Sequence, residues 1–461
     1  MSELPKGWIK ATISEFARVE SGVGFPKKYQ GLNTKEIPVY KVGDISKSVQ
    51  AGKPSLYESS NYVDESVRLA MKGKLYPVGS TLFAKIGEAL KLNRRGYLSQ
   101  SGLADNNVMG VVPDALVESK LLFYFLKTVD LSAFSRSSAV PSIRKGDVEE
   151  LSYPLAPLAE QKRIVEKLDE VLAQVDTIKA RLDGIPALLK RFRQSVLASA
   201  VSGKLTEEWR GGAIPKWEAT VFSDICNEIT VGFVGKMKDK YTDSGVLFLR
   251  SQNVRAFKYD PKNVLFISEE FHNEIHKSHL NAGDLAIVRS GAPGTTCVIP
   301  ESLGKVNCSD LVIARPSERL NPKFGCIFMN SEVAQKNVAS NQVGIAQQHF
   351  NVGSMKKMPI ELPDLAEQQE IVRLVDQYFA FAETIEAQVK KAQARVDNLT
   401  QSILVKAFRG ELVPQDPNDE PADKLLDRIA QARKEAEALA KAAKKAQSTK
   451  STAKKKVAKS A

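Results

Sequence analysis

The chain has only 4 cysteines in 461 residues, all between positions 226 and 326. Cys226, Cys297, Cys308 and Cys326 form no C-x-x-C pair. That spacing argues against a zinc knuckle or a disulfide framework and fits a reducing compartment. Histidine is as scarce, with 4 residues. Three of them, His272, His276 and His279, lie in "FHNEIHKSH". A solvated helix face is the expected reading there, and no metal site is assigned. No apolar run is long enough to span a bilayer. The start, "MSELPKGWIK", lacks the charged-then-apolar pattern of a secretion signal, so a cytoplasmic location is expected.

Catalytic signatures are missing too. "SGVGFPKK" lacks the spacing of a phosphate-cradling P-loop. No Asn/Asp-Pro-Pro-aromatic motif is present. "PDALVESK" has the letters of a nuclease metal site, but Asp114 and Glu118 are too close for the two strands such a site spans. No catalytic residue is assigned, and no cofactor is expected in this chain.

The net charge is +12, which points toward a polyanionic partner. Its distribution weakens that reading. From Pro421 onward there are 12 Lys/Arg against 4 Asp/Glu, leaving about +4 on the first 420 residues. Local patches must carry any case for nucleic acid.

What the chain does contain is a duplication. "LAEQKRIVEKLDEVLAQVD" begins at Leu158, and "LAEQQEIVRLVDQYFAFAE" begins at Leu365, an offset of 365 − 158 = 207. "SVLASAVSGKL" and "SILVKAFRGEL" match at the same offset. Each copy begins near a proline (Pro157, Pro363) and ends at a glycine (Gly203, Gly410), a helix start and a helix stop. Apolar residues recur in alternating steps of four and three, the spacing of a coiled-coil seam. The seam runs through Ile164, Leu168, Val171, Val175, Ile178 and Leu182 in the first copy. In the second it runs through Ile371, Val375, Tyr378, Ile385, Val389 and Val396. A helix of that length reaches roughly 50 Å at about 1.5 Å per residue. Gly184 and Pro186 interrupt the first copy, so a kink or short break is expected there. Two helical hairpins in separate domains would also fit. The preferred reading is that the copies pack antiparallel, giving the chain a pseudo-twofold axis.

The regions before the helices match only in outline. "LPKGW" is echoed by "IPKW", and "PVGSTLFAKIG" by "NAGDLAIVRSG". Short alternating runs such as "IPVYKV", "GVLFLR" and "DLAIVRS" read as strands, and "ESKLLFYFLKTV" as a helix. The expected fold class is α+β, with two mixed α/β domains bearing twisted sheets, joined by the two long helices. The expected boundaries are domain 1 over 1–156, a central helical spacer over 157–206, domain 2 over 207–362, and a distal spacer over 363–412. A C-terminal segment follows over 413–461, whose lysine-rich end reads as disordered.

Candidate contact groups are polar and basic loops. In domain 1 they are Lys27, Lys28, Lys85, Lys91, Asn93, Arg94, Arg95, Arg144 and Lys145. In domain 2 they are Lys236, Lys238, Arg250, Gln252, Asn253, Arg255, Arg289, Gln347, Gln348 and His349. Arg, Gln and Asn suit bidentate contacts with base edges, whereas Lys mostly holds phosphates.

The order of variable domain, "PLAEQ" helix, variable domain and "LAEQ" helix closing on "AFRGEL" resembles the specificity subunit of type I DNA restriction–modification enzymes, most nearly the IA branch. The similarity covers almost the whole chain. The most specific pieces are "LAEQKRIVEKLDEVLAQVD", "LKRFRQSVLASAVSGKLTEEWR" and "LTQSILVKAFRGELVPQDPNDEP". The resemblance implies a non-catalytic subunit whose two recognition domains each read half of a bipartite double-stranded DNA site. It implies two modification subunits that methylate adenine with S-adenosylmethionine, and two restriction subunits that use ATP and magnesium. No membrane partner is implied. A free-standing DNA-binding regulator and a coiled-coil interaction scaffold are the alternative readings.

Overall fold

The computed structural model describes residues 4–135, 140–340 and 349–457, with side chains described through 442. It divides into two compact units. One comprises Met1–Ala180 with Gln393–Ala461, and the other Arg181–Ala392. Each expected helical spacer is therefore shared between the units rather than forming a separate body.

Two 44-residue helices, Leu158–Val201 and Leu365–Phe408, are the longest elements. The first is continuous through Gly184 and Pro186, so the expected break does not occur. Proline removes one N–H and crowds the preceding turn. Here the positions around it, Asp183, Gly184 and Ala187, are exposed, so water can serve the freed carbonyl.

In the first unit Lys179 pairs with Asp397 at 2.8 Å, while Leu158 and Phe408 pack on one core. The opening of one helix thus lies beside the close of the other, an antiparallel pairing. The second unit repeats this. Arg193 meets Glu386 at 3.1 Å, while Val196, Leu197 and Ala200 share a core with Ile371, Val372 and Val375.

The seam is buried unevenly. Ile164, Leu168, Val175, Ile371, Val375 and Val389 are buried, and Val171, Leu182, Ile385 and Val396 are half-buried. Ile178 and Tyr378 are 46% and 40% exposed, against the seam expectation. A two-helix seam covers a side chain from one side only, and full burial needs a third layer. Ile164 and Ile371 have that layer from a domain core. Tyr378 instead sets its ring edge-on to Phe192, centroids 6.1 Å apart.

Domain 1 holds a five-stranded sheet in the order Ala17–Ser21, Val108–Pro113, Thr81–Ala84, Gly96–Leu98, Ser55–Leu56. A smaller sheet runs Tyr62–Val63, Ile37–Tyr40, Leu103–Ala104. Domain 2 has the order Cys226–Val231, Leu311–Pro316, Leu285–Val288, Thr296–Val298. A second sheet there includes Val246–Leu249 and Val306–Cys308. In both, the strand that enters the domain pairs antiparallel with the strand that leaves it: Ile9–Thr12 with Ser152–Leu155, and Glu218–Val221 with Pro359–Leu362. Each domain is therefore pinched shut immediately before its long helix starts.

The C-terminal segment begins with a part that packs on domain 1, ahead of its lysine-rich end. It is helical over Ala422–Val457. Ala422, Leu425 and Ile429 are buried in the core of domain 1 with Phe16, Phe125 and Val148. Ala422 N–H donates to the Gly7 carbonyl at 2.9 Å, and Arg433 donates to the Ser14 carbonyl at 2.8 Å. These three apolar residues form one stripe that anchors the start of the helix to the domain. Leu425→Ala and Ile429→Ala should each destabilise domain 1 by about 2–5 kcal/mol in denaturant melts. Loss of no more than a few tenths of a kcal/mol would show that the helix is not part of that core.

Candidate functional site

The duplicated "AEQ" letters form a buried junction between each domain and its helix. In unit 1, Glu160 and Gln161 are 1% and 0% exposed. The Trp8 indole donates to Glu160 Oε2 at 2.8 Å. Gln161 Nε2 donates to the Ala156 carbonyl at 2.8 Å, and its Oε1 accepts from Glu118 N–H at 3.1 Å. In unit 2, Trp217 donates to Glu367 Oε2 at 3.0 Å. Gln368 Nε2 donates to the Pro363 carbonyl at 2.9 Å, and its Oε1 accepts from Asn321 N–H at 2.7 Å. Asp169 and Asp376, also 207 apart, bind Lys120 at 2.6 Å and Lys323 at 2.8 Å. Gly203 and Gly410 adopt φ +75° and +70°, and a β-carbon on either would collide with Pro215 or Pro5. That collision gives the helix-stop glycines and the "LPKGW/IPKW" echo one cause: the helix end closes on the proline that leads into the neighbouring tryptophan.

The two junctions differ in charge. Glu367 also accepts from Thr206 Oγ1 at 2.7 Å and pairs with Arg210, both partners largely buried. Glu160 Oε1 is buried with no hydrogen-bond partner. Burial pushes the Glu160 carboxyl above its ordinary range, against the opposing pull of the Trp8 hydrogen bond and Arg163. Arg163 pairs with Asp419 at 2.6 Å instead.

The sequence-derived contact candidates separate by exposure. Lys27, Lys28, Lys91, Arg144, Lys145, Lys236, Lys238, Gln252 and Arg255 are exposed. Lys27 and Lys28 sit on a short turn that follows Gly22, where Val23 bridges to Asp105. Lys236 and Lys238 follow Gly232 in the corresponding loop, where Phe233 bridges to Ser309. Both domains thus present two lysines from one equivalent loop, a correspondence that "SGVGFPKK" and "VGFVGKMK" do not advertise.

Other candidates are structural. Arg95 is 3% exposed and donates to the Leu126 carbonyl at 3.1 Å and the Val129 carbonyl at 3.0 Å. Burial pulls its guanidinium down to about 9. Asn93, at φ +50°, accepts from Arg95, and Arg94 is half-buried. Asn253 is fully buried and clamps the Asp260 and Lys262 carbonyls, at 3.2 and 3.0 Å. Arg250 is half-buried on the Asn263 carbonyl at 2.8 Å. Polar letters in a loop do not reveal whether they face water or clamp the loop's own carbonyls. Lys85, Arg289 and His349 are half-buried. Gln347 and Gln348 lie outside the described residues.

The histidines form no ligand set. His272 and His279 stack in parallel with centroids 3.8 Å apart, and His279 Nε2 faces the His272 carbonyl at 2.8 Å. Among the described residues no group of three metal-ligating side chains occurs. Burial pushes the Cys226 and Cys297 thiols up to about 12. Among the described residues no helix is long and apolar enough to cross a membrane.

The family model described as "Type I restriction modification DNA specificity domain" matches residues 5–187 and again 216–393. The chain belongs to the type I restriction–modification specificity subunits. The specificity subunit of EcoKI from Escherichia coli K12 is 33% identical over 94% of this chain and 96% of its own length. Those of EcoBI from Escherichia coli and StySPI from Salmonella potsdam are 31% and 30% identical, each over at least 92% of both chains. Among solved structures, the HsdS subunit of Thermoanaerobacter tengcongensis matches with TM-score 0.57 at 19% identity, over 89% of this chain and 98% of that one. A chain described under complex assembly and conformational transition of the type I R-M system gives 0.63 at 18%, over 89% of this chain and 100% of that one. The two matched segments each carry one variable domain and end within a long helix, so this specificity subunit is one unit written twice.

The charge difference at the junctions sets a test. A carboxyl raised by burial favours the folded state while protonated, and that contribution is lost as pH climbs through the raised native value. At neutral pH Glu160→Gln keeps the Trp8 bond and removes the buried charge, so it should leave stability unchanged or higher. Glu367→Gln strands Arg210 and should cost roughly 3 kcal/mol. Equal losses in thermal melts at pH 7 would contradict the assignment.

Proposed function

We propose that this specificity subunit reads an asymmetric, bipartite double-stranded DNA site, one half through each variable domain. The helices set the distance between the halves. Two modification subunits dock on the repeated frame and methylate adenine. With two restriction subunits the complex cleaves DNA that lacks the methyl mark. The chain itself supplies recognition and spacing, not a catalytic step. S-adenosylmethionine, ATP and magnesium belong to the partner subunits in this reading, and the complex works in the cytoplasm.

One observation carries the proposal. The glutamate and glutamine of the two junctions repeat at an offset of 207 and meet partners of the same kind, while the loops on the two domains differ in sequence. A frame built twice suits two identical partners, and two diverged surfaces suit two different half-sites. The exposed lysines fit phosphate contacts, which position without specifying bases.

Exchanging residues 1–156 for the first domain of another specificity subunit should change one half of the methylated motif and leave the other half and the spacer intact. Methylation mapping of the host genome reads this directly. A change in both halves, or in neither, would refute one-domain-one-half reading.

A further inference from the structure

In each domain three segments at comparable places in the fold bring together three polar side chains, and these differ between the domains. In domain 1, Lys85 follows the strand Thr81–Ala84. Its N–H donates to the Asn107 carbonyl at 2.9 Å, and its carbonyl accepts from Ile143 N–H at 3.0 Å. In domain 2, Arg289 follows the strand Leu285–Val288, and its carbonyl accepts from Phe350 N–H at 3.1 Å. Asn107 immediately precedes the strand Val108–Pro113, as Asp310 precedes Leu311–Pro316. Ser142 precedes Ile143, as His349 precedes Phe350. Lys, Asn and Ser in one domain therefore stand where Arg, Asp and His stand in the other.

The substitution is concerted. A neutral amide accompanies lysine, and a carboxylate accompanies arginine. Arg289 Nη1 donates to Asp310 Oδ1 at 2.8 Å. Ser290 Oγ lies 3.3 Å from Asp310 Oδ2 and 2.6 Å from His349 Nδ1. Asp310 adopts φ +52°, a left-handed conformation uncommon outside glycine. Arg289 keeps 18% of its side chain open to solvent, yet its Nε is buried with no hydrogen-bond partner. The Asp310 carboxylate thus fixes the plane of a guanidinium that stays partly open to solvent. A planar fork held this way matches the O6 and N7 acceptors of guanine, which a lysine ammonium meets only as a point charge.

We propose that Arg289, positioned by Asp310, reads a guanine in the half-site of domain 2. This rests on the reading that domain 2 reads one half of the DNA site. Lys85 with Asn107 occupies the equivalent place in domain 1 and gives that half a different base preference. Asp310 is a positioning residue and need not touch DNA.

The test is the methylated motif and DNA affinity of the full complex with its modification subunits, carrying Arg289→Lys or Asp310→Asn. Arg289→Lys should relax one G·C position in one half-site by roughly 10- to 100-fold in discrimination, with the other half unchanged. Asp310→Asn should relax the same position less. Uniform weakening on all sequences, with a shallower salt dependence, marks a phosphate contact and overturns the proposal. An unchanged motif overturns it as well. Should Arg289→Lys fail to assemble, the double change Lys85→Arg with Asn107→Asp in domain 1 decides. A new guanine preference at one position of the other half supports the proposal, and an unaltered half-site rejects it. Block exchange of residues 207–362 separates the two levels. If the block changes one half-site while Arg289→Lys does not, half-site reading stands and the Arg289 assignment falls.

Discussion

A buried glutamate–glutamine pair at the head of each long helix is the constraint on which the rest depends. The glutamine satisfies a backbone carbonyl just ahead of its own helix and a backbone N–H of the domain with one planar amide. The glutamate accepts a hydrogen bond from the indole N–H of the tryptophan that opens the domain. Both side chains are cut off from water, so every group they hold must stay in place or be left unsatisfied. The bond therefore fixes the direction in which each helix leaves its domain. An apolar contact of equal area would not, because it has no preferred direction. The neighbouring Asp169–Lys120 and Asp376–Lys323 pairs extend the same grip about two turns further along.

That grip explains how the chain tolerates diverged domains. Core and loops can change so long as the entering strand, the leaving strand and the tryptophan meet the same glutamate and glutamine. The polar cluster around Arg289 and its counterpart around Lys85 share one backbone bond, to the carbonyl of Arg289 and of Lys85, and differ in the side chains around it. Separating a repeated junction from differing domains lets one scaffold carry two different readers in the proposed function.

The long helices were legible because a four-and-three apolar rhythm with a proline before and a glycine after has few other outcomes. The fold class followed from short alternating runs between turn residues. Legibility failed where context overrides local signals. Pro186 lies inside an unbroken helix, because water can serve the carbonyl it frees. The C-terminal helix docks through Leu425 and Ile429, two letters in a stretch dominated by Ala and Lys. Arg95 and Asn253 looked like ligands and instead clamp carbonyls, a difference that only burial reveals. Asn107, Ser142, Ser290 and Asp310 were missed, since nothing in a lone Asp or Ser signals a left-handed turn or a partnered arginine. The "AEQ" letters were read as a helix start, and their role as a junction became visible only when Trp8 and Trp217 closed on them.

If the junctions fix each domain on its helix, helix length sets the distance between the half-sites. Four residues inserted after Asp183 and four after Lys390 add about one turn, roughly 6 Å, to both strands of the antiparallel pair. The methylated motif of cells carrying this subunit should then keep both half-sites and gain one or two base pairs of spacer, at about 3.4 Å each. An active complex whose spacer is unchanged would contradict the account.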